Sequence, residues 1–578
     1  MNGFIAELKR RKVFQVGVAY IILAWVIAQV MELALDSFAA PDWVIKTVLT
    51  LLVVGFPIAI FLAWAYELTP EGIKLTGDAV PAVAGGVAVA VDAPTAIRQS
   101  IAVLPFADMS PEKDQDYFSD GIAEELLNQL TKLKGLHVAG RTSSFFFKGK
   151  NEDLRDIGEK LNVAHILEGS VRKAGNRVRI TAQLVKAADG YHLWSETFDR
   201  DLDDIFAIQD ETAKAVADAL SLELGVGEAG SSDGGTQNME AFDAYLNAIS
   251  SYHQFGRPET ARAIELLEKA VELDPNFVLA WGWLAQVCDN AAFSFLSEQA
   301  TELGIRSEEA ANRAIAMAPD AVASIRASAL LKTRQREWAE AGRLWHKAVA
   351  AAPGDAHSNY EYGRFLVMIG RAKDAVQYCH RAVQIDPLSL TPCVLLAVAH
   401  QINGEKEKAL KEFRRGEGLI GNHQFLYSVT LVLAMEQEDR ALMNYCLDRI
   451  LEAEPFLPDN ESITRSMRAC LDSPEDARKE LRRFDSDPAY RTPIGRTVIT
   501  VWASYFGDPE LALKQFQDVS QHRAVAVFLV WRPIQKAMRQ LPGFKDLLVD
   551  FKLVDYWQST GDWGDFCQPT GDGDFECR

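Results

Sequence analysis

Apolar positions along the chain fall into three regimes. In the first, Val13 to Met31 is almost wholly apolar, broken only by Gln15 and Gln29, and Thr47 to Tyr66 runs without a charge. About 20 apolar residues in a helix cross a hydrocarbon core of ~30 Å, so the two runs predict a transmembrane helical hairpin within residues 1–78. Pro57 is tolerated in a membrane helix, and Trp25, Trp43, Trp64 and Tyr66 suit the interfacial belts. Lys9, Arg10, Arg11 and Lys12 precede the first run, whereas Glu32, Asp36 and Asp42 outnumber Lys46 between the runs. Positive charge stays inside, so the N-terminus is expected in the cytoplasm and two crossings return the chain there. A third run, Ala79 to Val91, contains Pro81, Gly85 and Gly86 and is too short to cross unaided; residues 79–99 read as a flexible linker. Should that run enter the bilayer, the soluble part would lie on the other side.

The second regime, residues 100–225, mixes periods of two and 3.6. Ile101 to Pro105 reads as a buried strand. Ser119-Asp120-Gly121 offers N-capping chemistry before Ile122, Leu126, Leu127 and Leu130, which recur at helical spacing. A strand at 137–141 and a helix at 153–161, with Leu154, Ile157 and Leu161 on one face, follow. Val163 to Lys173 turns through Ala174-Gly175-Asn176 into Arg177–Leu184, whose Val178, Ile180, Ala182 and Leu184 alternate inward. Another turn at Ala188-Asp189-Gly190 leads into Tyr191–Phe198, and a helix at 203–224 closes the region. The order β-α-β-α-β-β-β-α predicts a mixed sheet with helices packed on it.

The third regime repeats. Pro275, Pro319, Pro353 and Pro387 stand 44, 34 and 34 residues apart, Pro455 follows 68 later, and Gly421 marks the midpoint of that gap. Thirty-four residues is the tetratricopeptide period, a helix-turn-helix unit. Small residues recur where paired helices must approach, as in Ala263 and Ala270, Ala341 and Ala348, and Gly363, Ala375 and Ala382. The longer unit carries its extra residues around Phe293 to Glu302. Met239 to about Leu547 predicts nine or so helical hairpins within a solenoid at 239–557, preceded by a Gly/Ser linker at 226–238. The Gly/Asp-rich tail, 558–578, is expected to fray, with Trp557 and Trp563 docked on the last helix. The fold class is thus α+β, mostly α: membrane hairpin, small mixed α/β sheet domain, and α-solenoid.

Composition narrows the chemistry. Lys+Arg is 60 against Asp+Glu 80 in 578 residues, a net of −20, which disfavours nucleic acid as the main partner. Seven cysteines without a CxxC pair make no zinc framework; Cys567 and Cys577 either close a small loop in the tail or stay free. Asp199, Asp201, Asp203 and Asp204 resemble a calcium loop but lack its Gly and Glu, so helix capping is the simpler role. Glu124 and Glu125 point about 100° apart on a helix and read as a solvated face. Arg172, Lys173, Arg177 and Arg179 make a basic hairpin edge that either meets an anion or blocks strand-to-strand aggregation. Cys379 and His380 diverge on one helix and cannot share a metal. No phosphate loop, nucleophile elbow, HExxH or dinucleotide turn is present. No catalytic, cofactor or metal residue is therefore assigned, no cofactor is expected, and the binding residues are not fixed by sequence.

Several segments resemble a known family. Ser100-Ile-Ala-Val-Leu-Pro-Phe106, Tyr117-Phe-Ser-Asp-Gly121, Leu167-Glu-Gly-Ser-Val-Arg172, Leu193-Trp-Ser-Glu-Thr-Phe-Asp-Arg200 and Asp203-Asp-Ile-Phe-Ala-Ile-Gln-Asp210 resemble the TolB-amino-terminal-like (FlgO-like) domain of membrane-anchored bacterial proteins. The resemblance implies a domain followed by tetratricopeptide repeats, in a bacterial inner membrane. In some relatives a nucleotide cyclase or a winged-helix DNA-binding domain comes first; the 12 residues before the first apolar run leave no space for either. The expected function is a membrane-tethered, non-enzymatic scaffold that binds proteins or peptides along the concave face of the repeats, with the bilayer as its other partner. The alternative is a signalling receptor or regulator that senses a small ligand through the α/β domain.

Overall fold

The computed structural model describes residues 66–69, 72–75, 97–110, 116–131, 133, 136–150, 152–174, 177–201, 215, 235–236, 238–253, 256–293, 296, 299–420, 423–453, 458–520, 527–571 and 574–578. It divides into two compact units, Met1–Asp92 and Ala93–Arg578. In the first, strands β1 (Tyr66–Thr69) and β2 (Gly72–Leu75) pair antiparallel with Tyr66 opposite Leu75. Pro70 and Gly72 occupy sequence positions that favour a tight turn between them. Among the described residues no helix is long and apolar enough to cross a membrane. This corrects the expected transmembrane hairpin and the inner-membrane location and bilayer contact that rested on it. The runs 13–31 and 47–65 lie outside the described residues, and Tyr66, expected to end a spanning helix, begins a strand instead. Apolar length is necessary for a crossing but does not compel one.

The second unit opens with a mixed six-stranded sheet. Its elements are β3 (Ile97–Val103), β4 (Ala107–Asp108), α1 (Asp116–Thr131), β5 (His137–Val138), α2 (Arg141–Phe145), α3 (Leu154–Leu161), β6 (Val163–Ala174), β7 (Arg177–Lys186) and β8 (His192–Asp201). The order is β5-β3-β6-β7-β8, with β4 also on β6; β3 runs parallel to β5 and β6, and β6-β7-β8 are antiparallel. Alternation divides β3 between two cores. Ile101 and Val103 face α1 with Ile122, Leu126 and Leu130, while Ala102 and Leu104 face Ile157 and Leu161 of α3. Helix α1 begins before Ser119 and runs through Gly121, so that triplet caps nothing. Gly121 serves packing: a Cβ there would stand 2.0 Å from Leu246 Cδ1. The expected helix at 203–224 falls outside the described residues, apart from the helical Ala215.

Eight helical pairs follow among the described residues. They are α4 (Met239–His253) with α5 (Arg257–Leu273), α6 (Val278–Phe293) with α7 (Ala300–Met317), α8 (Val322–Arg334) with α9 (Trp338–Ala351), and α10 (Ala356–Met368) with α11 (Ala372–Ile385). The rest are α12 (Leu390–Ile402) with α13 (Lys406–Ile420), α14 (Gln424–Glu436) with α15 (Arg440–Glu452), α16 (Pro458–Ala469) with α17 (Pro474–Ser486), and α18 (Pro493–Tyr505) with α19 (Pro509–Ser520). The small residues sit where partners cross: Ala263, Ala270, Ala341, Ala348, Ala375 and Ala382 are fully buried, and a Cβ on Gly363 would stand 2.6 Å from Cys379 Sγ. The turn inside each of the third to sixth pairs uses a left-handed residue. Arg336, Gly370, Gly404 and Glu438 have φ of 58°, 84°, 75° and 54° and stand 34 residues apart, the position where a helix end takes αL geometry.

Among the described residues the eight pairs are followed by a segment of shorter elements. Residues 527–578 form two 3-10 turns (Val527–Trp531 and Pro533–Gln535), α20 (Lys536–Arg539), α21 (Pro542–Asp550), α22 (Leu553–Thr560), β9 (Cys567–Gly571) and β10 (Asp574–Cys577). Pro533 and Pro542 restart the backbone too often for a long helix. This segment folds back along the row of left-handed turns. Trp338 Nε1 donates to Phe551 O at 2.7 Å, Trp531 Nε1 to Met368 O at 3.0 Å, Trp557 Nε1 to Ile369 O at 3.3 Å, and Asp565 N to Gly370 O at 2.9 Å. Ile534 N donates to Glu436 Oε1 at 3.2 Å. One continuous core runs from Ala329 to Phe575. The tail does not fray: β9 and β10 pair, a disulfide joins Cys567 to Cys577, and Trp563 packs on Trp557.

Removing a keystone of this closure should be felt by the whole array. Trp531→Ala is expected to destabilise the chain by about 3–5 kcal/mol, as for buried aromatic truncations, read as a fall in urea midpoint at unchanged slope. A loss below about 1 kcal/mol would show that the returning segment does not hold the repeats.

Candidate functional site

The first helices of successive pairs touch one another, α6 to α8, α10 to α12 and α12 to α14, and so form an inner layer. On α10, His357, Tyr360, Glu361 and Arg364 fall at i, i+3, i+4 and i+7, one helical face. On α6, Trp283, Gln286 and Asn290 do the same. These two faces meet: the Trp283 and His357 rings lie 5.2 Å apart, Arg326 of α8 stands 5.8 Å over Trp283, and Gln286 Nε2 donates to Glu361 Oε1 at 3.2 Å. Asn290 donates to the Tyr252 hydroxyl at 2.6 Å, which brings in α4. Trp283, Arg326, His357, Tyr360 and Arg364 remain half-buried, whereas Glu361 beneath them is 1% exposed.

The charges of this face are paired. Arg326 meets Asp355 at 2.9 Å, Arg364 meets Glu361 at 2.6 Å, and Arg334 lies 3.4 Å from Asp289. Burial raises the Asp289 carboxyl, with Arg334 and Arg364 pulling the other way. Burial would also raise Asp355, but Arg326, His357 and Ser358 outweigh it and hold that carboxyl below its ordinary value. Asp355 caps α10 by accepting from the amides of His357 and Ser358. Burial lifts the Tyr252 phenol to about 12, and burial with Arg326 lowers His357 from its ordinary value. The thiols of Cys288, Cys393 and Cys446 are pushed up to about 12 by burial and supply no thiolate. The arrangement presents aromatic faces and fixed guanidinium groups.

The sheet region docks beside this face. Gly140 N donates to Ile385 O at 2.6 Å, Ser143 N to Asp386 Oδ1 at 2.7 Å, and Leu388 N to Ser143 Oγ at 2.7 Å. Gly140 has to lack a side chain, since its Cβ would stand 2.5 Å from Asp386. Asp386 belongs to one of the Asp-Pro steps that punctuate the repeats, so one residue ends a repeat and anchors the sheet region.

The residues singled out by sequence disperse. Glu124 is not on a solvated face: it is buried, paired with Arg141 at 2.9 Å, and raised by burial against that pairing. Glu125 accepts from Gln129. Asp199 bridges Arg177 and Arg179 at 2.9 and 2.6 Å, Arg172 is exposed opposite Arg179, and Asp203 and Asp204 lie outside the described residues. Cys379 is buried and His380 exposed. Sequence reasoning left the inner face unassigned. Its signal was present as a polar-aromatic stripe at 283, 286 and 290 and at 357, 360, 361 and 364, opposite the small-residue stripe. A separate depression of about 250 Å³ between α13, α14 and α15 is lined by Leu410, Phe413, Tyr427 and Tyr445, with Glu417 accepting from both phenols.

Comparison with known proteins bears on both regions. Residues 97–215 match the second domain of HilA/YgeH-like transcriptional regulators. A putative adenylate cyclase 3 of Rhizobium meliloti (strain 1021) is 42% identical over 184 residues, 32% of this chain and 31% of that protein. The chain thus spans about a third of the length of that curated relative. Similar solved structures include YrrB, a TPR protein with an unusual peptide-binding site (18% identity, 33% of this chain, 92% of that one, TM-score 0.24). A tetratricopeptide repeat protein from Parabacteroides merdae ATCC 43184 (15%, 45% and 98%, 0.31) and yeast Tom70 (13%, 76% and 85%, 0.33) are others.

Two measurements test this geometry. Asp386→Ala strands the buried Ser143 amide and should lower stability by about 1–3 kcal/mol, with faster proteolysis between Arg141 and Lys150. Because Asp355 titrates lower in the folded than in the unfolded chain, its contribution is complete above its ordinary 3.8 and is lost as pH falls through the folded value. Asp355→Asn should therefore flatten the loss of stability on acidification below that pH, read by thermal melts in a pH series.

Proposed function

We propose that the chain is a non-enzymatic scaffold that takes a protein or peptide partner along the inner face of its first repeats. The observation that carries this is the half-buried stripe of Trp283, Arg326, His357, Tyr360 and Arg364, while the turns of the later repeats are engaged by residues 527–578. Repeat arrays bind extended peptides on such faces, and aromatic and arginine side chains dominate binding energy at interfaces. The paired carboxylates hold the guanidinium groups in place, which lowers the ordering needed on binding. In this reading residues 100–225 form one module, 226–238 a linker and 239–557 the repeat region.

A second reading is favoured by the likeness to a transcriptional regulator and to a putative adenylate cyclase. Here the α/β module, read as TolB-amino-terminal-like, senses a small ligand and the repeats relay its state to a partner.

Peptide selection from a random display library against the full chain tests the first reading. Peptides should be recovered whose affinity falls at least about tenfold with Trp283→Ala or Arg364→Ala, a loss typical of interface hot spots. Recovery of no peptide, or of peptides indifferent to both substitutions, would remove it. Thermal shifts of the full chain with nucleotides, sugars and ions test the second; a specific ligand raises the melting temperature with concentration.

A further inference from the structure

Cys567 and Cys577 are joined where the β9–β10 hairpin opens. Cys567 is buried, Cys577 is half-buried, and Arg578 ends the described chain. Between them, Phe575 packs against Trp557 and Trp563 with centroids 6.5 and 5.7 Å away. The Arg578 carbonyl accepts from Arg539 Nε at 2.6 Å. From Nη1 the same guanidinium donates to the carbonyls of Val530 at 2.6 Å and Arg532 at 2.9 Å. Those two residues flank Trp531, which bonds Met368 of α10, and stand just before Ile534, which bonds Glu436 of α14. Arg539 is 6% exposed. One buried guanidinium therefore connects the last strand of the chain to the turn that grips the repeats.

We propose that the Cys567–Cys577 disulfide is a thiol-responsive clasp whose opening loosens the 527–535 segment from α10 and α14. A thiolate of a dithiol reductant attacks Sγ of Cys577, the more exposed sulfur. The S–S bond breaks, and its electron pair leaves with Cys567, which takes up a proton. The second thiolate of the reductant then displaces Cys577, so the protein gains two electrons and two protons and the reductant departs as its own disulfide. A hairpin of five and four residues is marginal without its cross-link, and the exposed Lys545–Asp574 pair adds little to it. When β10 lifts, Arg539 loses the Arg578 carbonyl. An arginine stays charged, so a buried donor is left without an acceptor and the guanidinium shifts, releasing the Val530 and Arg532 carbonyls. The grip of Trp531 and Ile534 on the repeats depends on the conformation those carbonyls fix.

Hydrogen–deuterium exchange of the full chain, oxidised and after dithiothreitol, tests the clasp. Reduction should speed exchange about tenfold or more at 527–540 and at 366–370, and leave 239–317 unchanged. The Cys567→Ser/Cys577→Ser variant should show the fast pattern with or without reductant. Arg539→Lys, with the disulfide intact, should speed exchange at 527–535 and at 366–370 and leave the 567–578 hairpin protected. Faster exchange confined to 567–578 on reduction, or no change, would overturn the proposal, as would an Arg539→Lys chain that exchanges at the parent rate.

Discussion

Three indole N–H groups hold this molecule closed. Trp338, Trp531 and Trp557 each donate to a main-chain carbonyl 213, 163 and 188 residues away in sequence. A buried indole is large enough to anchor a core and has one donor that must be satisfied, so it fixes position as well as burying area. An open solenoid carries only neighbour-to-neighbour contacts, and its stability is roughly a sum over units. Here long-range bonds and a shared core from Ala329 to Phe575 tie six units and the returning segment into one body.

The same economy appears at the other edge. The Asp386-Pro387 step ends a repeat, while the Asp386 carboxylate receives the Ser143 amide of the sheet region. The row of left-handed turns and the row of proline steps lie at opposite ends of the first helices. The first row is engaged by the chain's C-terminal segment, and the Asp386-Pro387 step of the second by the sheet region. Between them lies the half-buried inner stripe of α6, α8 and α10, with its guanidinium groups held by Asp355, Asp289 and Glu361.

Much of the fold was legible because it is periodic. The prolines marked the repeat boundaries, the small residues marked the helix contacts, and the alternation of Val178, Ile180, Ala182 and Leu184 marked β7. Glycines at 370 and 404 carried the same 34-residue beat at the inner turns, but Arg336 and Glu438 occupy the equivalent places and mask it. Long-range closure was not legible, since nothing local in Trp531 or Trp557 names the carbonyl it will meet. The apolar run ending at Tyr66 misled because hydropathy reports length and not conformation. Glu124 misled because adjacent carboxylates on a helix say nothing about an arginine 17 residues on. The inner stripe required knowing which helix of each pair faces inward, and that follows only from the stacking.

The fixed beat of turns at 336, 370, 404 and 438 has a consequence for how this architecture can change over time. Free-ended arrays can gain or shed a unit by duplication or deletion, because each unit meets only its neighbours. In this chain the returning segment must bring Phe551 to Trp338, Trp531 to Met368 and Ile534 to Glu436 at once. Inserting one more copy between the third and sixth pairs would separate those anchors while the segment's reach stayed the same. The number of repeats between the third and sixth pairs is therefore locked by the length of what crosses them.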